Sequence, residues 1–515
     1  MRIGIDFGTT RTVVAGIDDG NYPVCAFDWE GQIREHIPTL VAAQRGRILF
    51  GWEAARAARR GEASLLRGLK RLTATTAPDA ILSLGEGVAL PLIEILTGYL
   101  AHVREMIQRY GTLHLKGKTL EAMVATPANA NSNQRYLTLE AFHRAGFQVL
   151  EVLNEPSAAA LEHVHRYLRQ LGQKSPKEYV VVYDLGGGTF DTAAVRFSDG
   201  SFDVLSHEGI ARLGGEDFDS LLLELALGAA VVEPASISDS LRARLLEECR
   251  ERKEGLTTNT RKIAVDLALP EGETTVVLDT FVFYEACEPV IEPSVAAVER
   301  VLASLGGEDD STDDPRRLAA VYLVGGSTAF PPVARRLREA FGRKIKHAPS
   351  PFAATAVGLA IAADPAADVR IQDSVSRHFG VWREGSSGRD KIFDMLIPKD
   401  TQLDQGQRLE VVRRYCPAHN LGCLRFLECG RLDDAGQPAG DLSPWPEIFF
   451  PYDPCLAQAD VGELSRITVE RRTELQGHEI QETYRYEPGG ILSVDIQNLT
   501  AGYGRTYSLA PLGAR

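Results

Sequence analysis

The chain has 515 residues, 44% hydrophobic and 24% charged, the proportions of an ordinary globular protein with room for three to four units of about 150 residues. Its net charge of −14 argues against a role coating DNA or RNA, which normally shows as a basic stripe. Seven cysteines are too few for a disulfide framework, and the longest apolar stretch, 221–232, is broken by Glu224 and too short to cross a bilayer.

The N-terminal string Met1-Arg2-Ile3-Gly4-Ile5-Asp6 runs straight into a strand, without the charged and apolar regions of a secretory signal, so a cytoplasmic protein is expected. From residue 1 to about 365, short apolar runs (2–6, 122–125, 179–183, 320–324) alternate with helix-like stretches at 93–109, 131–145, 156–171, 214–227 and 331–341. That alternation predicts a mixed α/β domain. The acidic, polar segment 310–315 reads as a surface loop.

The pattern changes after residue 364. Residues 366–374 read as a linker, and 375–515 show short alternating runs (409–413, 424–428, 464–471, 491–497) punctuated by Gly, Pro, Asn and Asp. No long helical period occurs there, so an all-β sandwich or barrel is expected. The segment 443–452, rich in Pro and aromatics, reads as an edge strand and its packing, with an apolar contact surface for other polypeptides as the alternative. Cys416, Cys423, Cys429 and Cys455, with His419 between the first two, lack the paired C-x2-C spacing of a zinc site, and reduced thiols are expected.

One motif occurs twice. Ile3-Gly4-Ile5-Asp6-Phe7-Gly8-Thr9-Thr10 leads into a second strand at 11–17, and Val181-Val182-Tyr183-Asp184-Leu185-Gly186-Gly187-Gly188-Thr189 leads into another at 190–197. Each is an apolar strand ending in Asp, a Gly-Thr turn and a returning strand. Glycines let backbone N–H groups approach phosphate oxygens, Thr hydroxyls add donors, and an Asp at the strand end suits a magnesium ion held through its waters. Two copies 178 residues apart predict two related lobes facing one triphosphate. A third turn, Val324-Gly325-Gly326-Ser327-Thr328, follows another apolar strand and precedes a helix opening at Pro331-Pro332, a start suited to approaching a ligand.

The collinear strings Asp6-Phe7-Gly8-Thr9-Thr10, Lys70-Arg71-Leu72, Asn154-Glu155-Pro156-Ser157-Ala158-Ala159-Ala160, the 184–191 string, Gly214-Gly215-Glu216-Asp217-Phe218-Asp219 and the 323–328 string resemble the heat-shock-protein-70 (DnaK-type) chaperones. The resemblance implies an α/β actin-like, ribonuclease-H-like duplicated ATPase domain over 1–365, followed by a β-sandwich substrate- or partner-binding domain over 375–515. It implies slow hydrolysis of ATP to ADP with Mg2+, and K+ as an optional further ion. Asp6 and Asp184 would flank the hydrated magnesium. Gly8, Thr9, Thr10, Gly186, Gly187, Gly188 and Thr189 would cradle the phosphates. Lys70 would supply fixed charge beside the γ-phosphate, with Glu155, Asp184, Asp191 and Thr189 completing the catalytic set. Gly214, Gly215, Lys253, Thr257, Gly325, Gly326 and Ser327 would hold the nucleoside side.

Some residues depart from the family's pattern. Arg250, Glu254 and Ala329 stand where the resemblance expects an acid and two arginines, so looser and less adenine-selective nucleotide binding is expected. Glu151 replaces an arginine that helps dock J-domain cochaperones, which leaves those partners and exchange factors open. The linker is less apolar than the family's, and 375–515 carries only a faint resemblance with no helical lid after it. The leading expectation is a lidless, monomeric chaperone for unfolded polypeptide. The alternatives are a nucleotide-gated module for one dedicated partner and, further off, a small-molecule kinase.

Overall fold

A computed structural model describes residues 1–113, 119–167, 178–198, 201–210, 212–270, 272–305, 317–367, 369–385, 388–403, 408–487 and 490–509. The loop expected at 310–315, the end of the helical stretch 156–171, residue 368 of the linker and the tail from 510 lie outside these residues. The chain gathers into two compact units. The first comprises Met1–Thr76, Ala80–Ala128 and Glu140–Ile371; the second comprises Gln372–Arg515 with Ala77–Asp79 and Asn129–Leu139.

The first unit holds two lobes built on one plan. In the first lobe, β1 (Arg2–Phe7) and β2 (Arg11–Gly16) form a hairpin. β3 (Ile37–Pro38) extends it beyond β2, and α1 (Leu69–Thr75) follows. β4 (Glu121–Thr126) and β5 (Gln148–Asn154) add in parallel on the β1 side, and α2 (Glu155–Tyr167) closes the lobe. The sheet order is β5-β4-β1-β2-β3. Ile3, Ile5 and Phe7 are at most 2% exposed, with Gly4 buried between the two isoleucines. Such a near-continuous apolar run suits a central strand covered on both faces.

The second lobe repeats that order. β6 (Tyr179–Leu185), β7 (Phe190–Ser198) and β8 (Ser201–Ile210) form an antiparallel meander. Three helices follow: α3 (Gly215–Ala229), α4 (Asp239–Glu254) and α5 (Thr280–Ala303). β9 (Leu318–Val324) joins β6 in parallel, α6 (Pro331–Phe341) crosses back, and β10 (Ile345–His347) joins β9. Within its larger sheet the order is β10-β9-β6-β7-β8, the same relation of strands as in the first lobe. A last helix, α7 (Ala354–Ala363), completes the unit.

The inner helices α2 and α7 explain the small residues in both sequences. Ser157, Ala158, Ala159 and Ala160 are at most 1% exposed. A Cβ added at Gly358 would lie 1.7 Å from the Ala158 carbonyl oxygen, and one at Gly4 would lie 2.3 Å from the Ala356 carbonyl. Backbone meets backbone at these points, which only glycine permits.

The second unit is β-rich. β11 (His378–Gly385), β12 (Asp390–Ile397), β14 (Leu421–Leu432), β15 (Pro438–Pro444) and β16 (Ile448–Pro451) form one antiparallel sheet. β13 (Leu409–Tyr415), β17 (Ile480–Glu487), β18 (Ile491–Asn498) and β19 (Tyr503–Leu509) form another. Both contribute to one core, in which Phe379 stacks on Phe426 at 5.5 Å and meets Tyr484 edge-on at 6.5 Å. Inside it, the fully buried Glu482 accepts from Arg383, Tyr415 and Tyr484 at 2.6 Å each. The aromatic segment 443–452 packs inward: Trp445 meets Phe379 edge-on at 5.7 Å and Phe450 is fully buried.

The run expected as a strand at 464–471 is not one. Asp460 caps a short helix, Val461–Leu464, through a reciprocal pair with Glu463, and that local bonding captures the start of the segment. All seven cysteines are unpaired, with Cys416 and Cys455 exposed. Among the described residues no helix is long and apolar enough to cross a membrane.

Candidate functional site

The duplicated hairpins fold to the same turn. Gly8 N–H donates to the Arg11 carbonyl at 3.0 Å, and Gly186 N–H donates to the Thr189 carbonyl at 3.0 Å. The turns also touch, since a Cβ on Gly187 would sit 2.3 Å from the Thr10 methyl. Between the lobes lies a cavity of about 690 Å³, within the range of small-molecule sites. Asp6, Gly8, Thr9, Thr10, Lys70, Glu155, Asp184, Gly186, Gly187, Thr189, Gly215, Lys253, Gly325, Gly326 and Ser327 all line it.

Lys70 is carried into the site by Gly68, which takes φ +65° at the start of α1. Its ammonium pairs with Glu155 at the start of α2, and both side chains are buried. Asp6 and Asp184, at the ends of β1 and β6, keep a window onto the cavity. Burial raises the Asp6 pKa to about 7, with Glu155 adding to the rise and Lys70 opposing it. Asp184 is raised well above the ordinary carboxylate range by burial, then by Glu155, Asp6 and Asp191. Burial works against the Lys70 ammonium, but Glu155 and Asp6 outweigh it, and its pKa stays above the usual lysine value. Three carboxylates, Glu155, Asp6 and Asp184, thus share one buried ammonium, and Asp6 and Asp184, the two not paired with it, suit a divalent cation reached through its waters.

Three of the residues expected in the site stand behind its wall. Asp191 faces Asp184 across the β6–β7 ladder and accepts from Ala128 N–H at 3.1 Å. The Gly188 carbonyl accepts two bonds from Arg71, at 2.8 and 2.5 Å. Gly214 lies against Gly187 and Gly188, where a Cβ would come within 2.6 Å of their backbone. The first turn of α3 adjoins the same loop: Gly215 and Glu216 N–H donate to the carbonyls of Gly186 and Gly187 at 3.0 and 2.8 Å. The third glycine turn is equally close, because Gly325, at φ +82°, would put a Cβ 2.5 Å from an Asp184 carboxylate oxygen.

Thr257 does not line the cavity. Helix α4 ends at Glu254 with Gly255 as its cap, and the exposed Thr257 bonds to Thr260 in the turn beyond. Lys253, one turn earlier, reaches the site by pairing with Asp219 at 2.6 Å and the Gly215 carbonyl at 2.5 Å. Desolvation lifts Asp219 to about 6 despite Lys253 beside it.

Several lining residues, Arg11, Arg67 and Glu247 among them, were assigned no role from the sequence. Arg11 donates to both oxygens of Glu254 at 2.9 Å, Arg67 pairs with Glu247 at 2.8 Å, and Arg71 pairs with Glu216 at 2.8 Å. Each joins an arginine of the first lobe to an acid of the second. Arg11 follows Thr10 in the first hairpin and Arg71 lies within the Lys70-Arg71-Leu72 string, so position in or beside a motif was the signal. Phe352 also lines the cavity, with the Arg11 guanidinium 5.9 Å from its ring centroid.

Comparison with known proteins agrees with this arrangement. The family model described as Hsp70 protein matches residues 93–388, more than half of the chain. The chain belongs to the Hsp70 family. It is 30% identical over 425 residues to a chaperone protein HscA homolog of Histophilus somni (strain 129Pt), and 31% identical over 425 residues to the chaperone protein HscA of Escherichia coli (strain K12 / DH10B). It is 30% identical over 442 residues to a heat shock cognate HSP70 protein of Trypanosoma brucei brucei. Each match covers 78% of this chain, which spans 64%, 64% and 62% of those relatives.

Proposed function

We propose that the first unit is an actin-like ATPase domain that binds ATP or ADP with Mg2+ and hydrolyses ATP slowly, and that the β-rich unit binds polypeptide, as in a chaperone. The single observation that carries this reading is the meeting of two glycine turns closed by the same backbone hydrogen bond beside Asp6, Asp184, Lys70 and Glu155. Under it, a linker at 366–374 separates a nucleotide domain from the client domain, and the protein works in the cytoplasm on an unfolded or dedicated client.

Hydrolysis of a phosphoanhydride requires positioning and charge neutralisation more than covalent help. Gly8, Thr9, Thr10 and the 186–189 loop would present N–H and hydroxyl donors to phosphate oxygens. Asp6 and Asp184 would hold Mg2+ through its waters, and the ion supplies charge neutralisation when bound. Lys70, locked by Glu155, would hold positive charge beside the terminal phosphate and keep the attacking water oriented. Lys253 and Ser327 would steady the nucleoside side.

The test is phosphate release from ATP, with and without Mg2+, by the full chain. A rate well above background that requires Mg2+ and disappears in Lys70→Ala supports the reading; equal release by both proteins overturns it. Elution of captured polypeptides by ATP tests the coupling: many unfolded clients indicate a general chaperone, one protein indicates a dedicated partner.

A further inference from the structure

The lining of the cavity is mixed in chemistry. It holds carboxylates, Lys70 and the glycine turns, and also the apolar side chains of Leu246, Leu256, Ala329 and Phe352. We propose that Phe352 is the surface on which the nucleobase stacks, the base taking the face of the ring that the Arg11 guanidinium covers. The proposal rests on the nucleotide reading above and names the residue that would recognise the base.

Two observations converge on Phe352. Its position is fixed to the third glycine turn, because Gly325 N–H donates to the Pro351 carbonyl at 2.7 Å. The ring is half-buried, packed on its inner side against the cluster holding Val13 and Ala353, and it lines the cavity with Ser327 and Ala329. The Arg11 guanidinium already lies over this ring at 5.9 Å while donating to Glu254. A face that accepts a planar cation has the shape and electron distribution to accept a planar base. Ala329 puts no long side chain into the lining, and Arg250 and Glu254, 3.1 Å apart, offer donors and acceptors for polar edges. An aromatic face reads any base, so Phe352 would give affinity with little discrimination among purines.

Calorimetric titration of the full chain with ATP, GTP and inorganic tripolyphosphate tests this. Phe352→Ala should weaken ATP and GTP by about 5- to 100-fold and leave tripolyphosphate unchanged, whereas Phe352→Tyr should stay near wild type. ATP affinity unchanged in Phe352→Ala overturns the proposal. Equal loss for ATP and tripolyphosphate also overturns it, since the ring would then only support the turn. If the wild-type chain binds tripolyphosphate as tightly as ATP, the base has no site here and the proposal fails while the phosphate cradle stands. Binding of neither ligand by the wild-type chain overturns the nucleotide reading itself, and this proposal with it.

Discussion

Lys70 and Glu155 form an ion pair with only 5% and 7% of their side chains exposed, 85 residues apart in sequence and each at the start of a helix. A pair so deep is costly to desolvate, and breaking it strands a charge. Lys70→Ala should therefore abolish ATP turnover while leaving ATP binding within about tenfold of wild type. Single-turnover phosphate release beside equilibrium titration checks this. Lost binding with unchanged residual turnover would contradict the assignment.

Asp6, with its pKa raised to about 7 from an ordinary 3.8, holds its proton more tightly in the folded chain than in the unfolded one. Its contribution to stability is then fully present below about pH 4 and is lost as pH rises through 7. Asp6→Asn removes the buried negative charge, so the variant should melt at least about 2 °C above wild type at pH 8 and level with it at pH 4. Mg2+ should close the gap at pH 8 by stabilising the wild-type chain alone. Thermal melts at the two pH values, with and without Mg2+, read all of this.

The pairs Arg11–Glu254, Arg67–Glu247 and Arg71–Glu216 join the lobes at the cavity. Arg67 and Glu247 are each more than a quarter exposed, so their pair is worth only about 0.5–1 kcal/mol after solvent screening. Arg67→Ala should quicken nucleotide release about two- to fivefold. Raising KCl from about 0.05 to 0.5 M should quicken the wild type in the same direction and the variant less. Stopped-flow release of a fluorescent nucleotide measures both.

Glycine substitutions should act with opposite signs at two helical sites. Gly358→Ala drives a methyl into the Ala158 carbonyl and should cost more than about 2 kcal/mol. At Gly228, inside α3, a Cβ meets nothing within 4 Å, and Gly228→Ala should stabilise by about 0.5 kcal/mol. Urea unfolding of the two variants decides the matter.

The sequence was most legible where chemistry and geometry share one short string. Asp6 through Thr10 and Asp184 through Thr189 announce their hairpins because strand, turn and returning strand are contiguous, and the repeated order β10-β9-β6-β7-β8 follows from the same duplication. Thr257 shows the limit of matching by string: Gly255 stops α4 two residues earlier, so a side chain of the right type turns away. Arg11 and Phe352 come from distant segments, and nothing periodic links them until the fold brings guanidinium and ring together. The mis-assigned stretch at 464–471 failed for a local reason, since the Asp460–Glu463 box outweighs an apolar alternation.

The crossing of α2 and α7 has a mechanical meaning. With Gly358 seated on the Ala158 carbonyl, no side chain lies between the two backbones to yield or slide. Such a joint works as a hinge pin, which tolerates rotation but resists separation and shear. Any opening of the cavity would then be a swing of the lobes about this fixed fulcrum, with Glu155, at the head of α2, close to it.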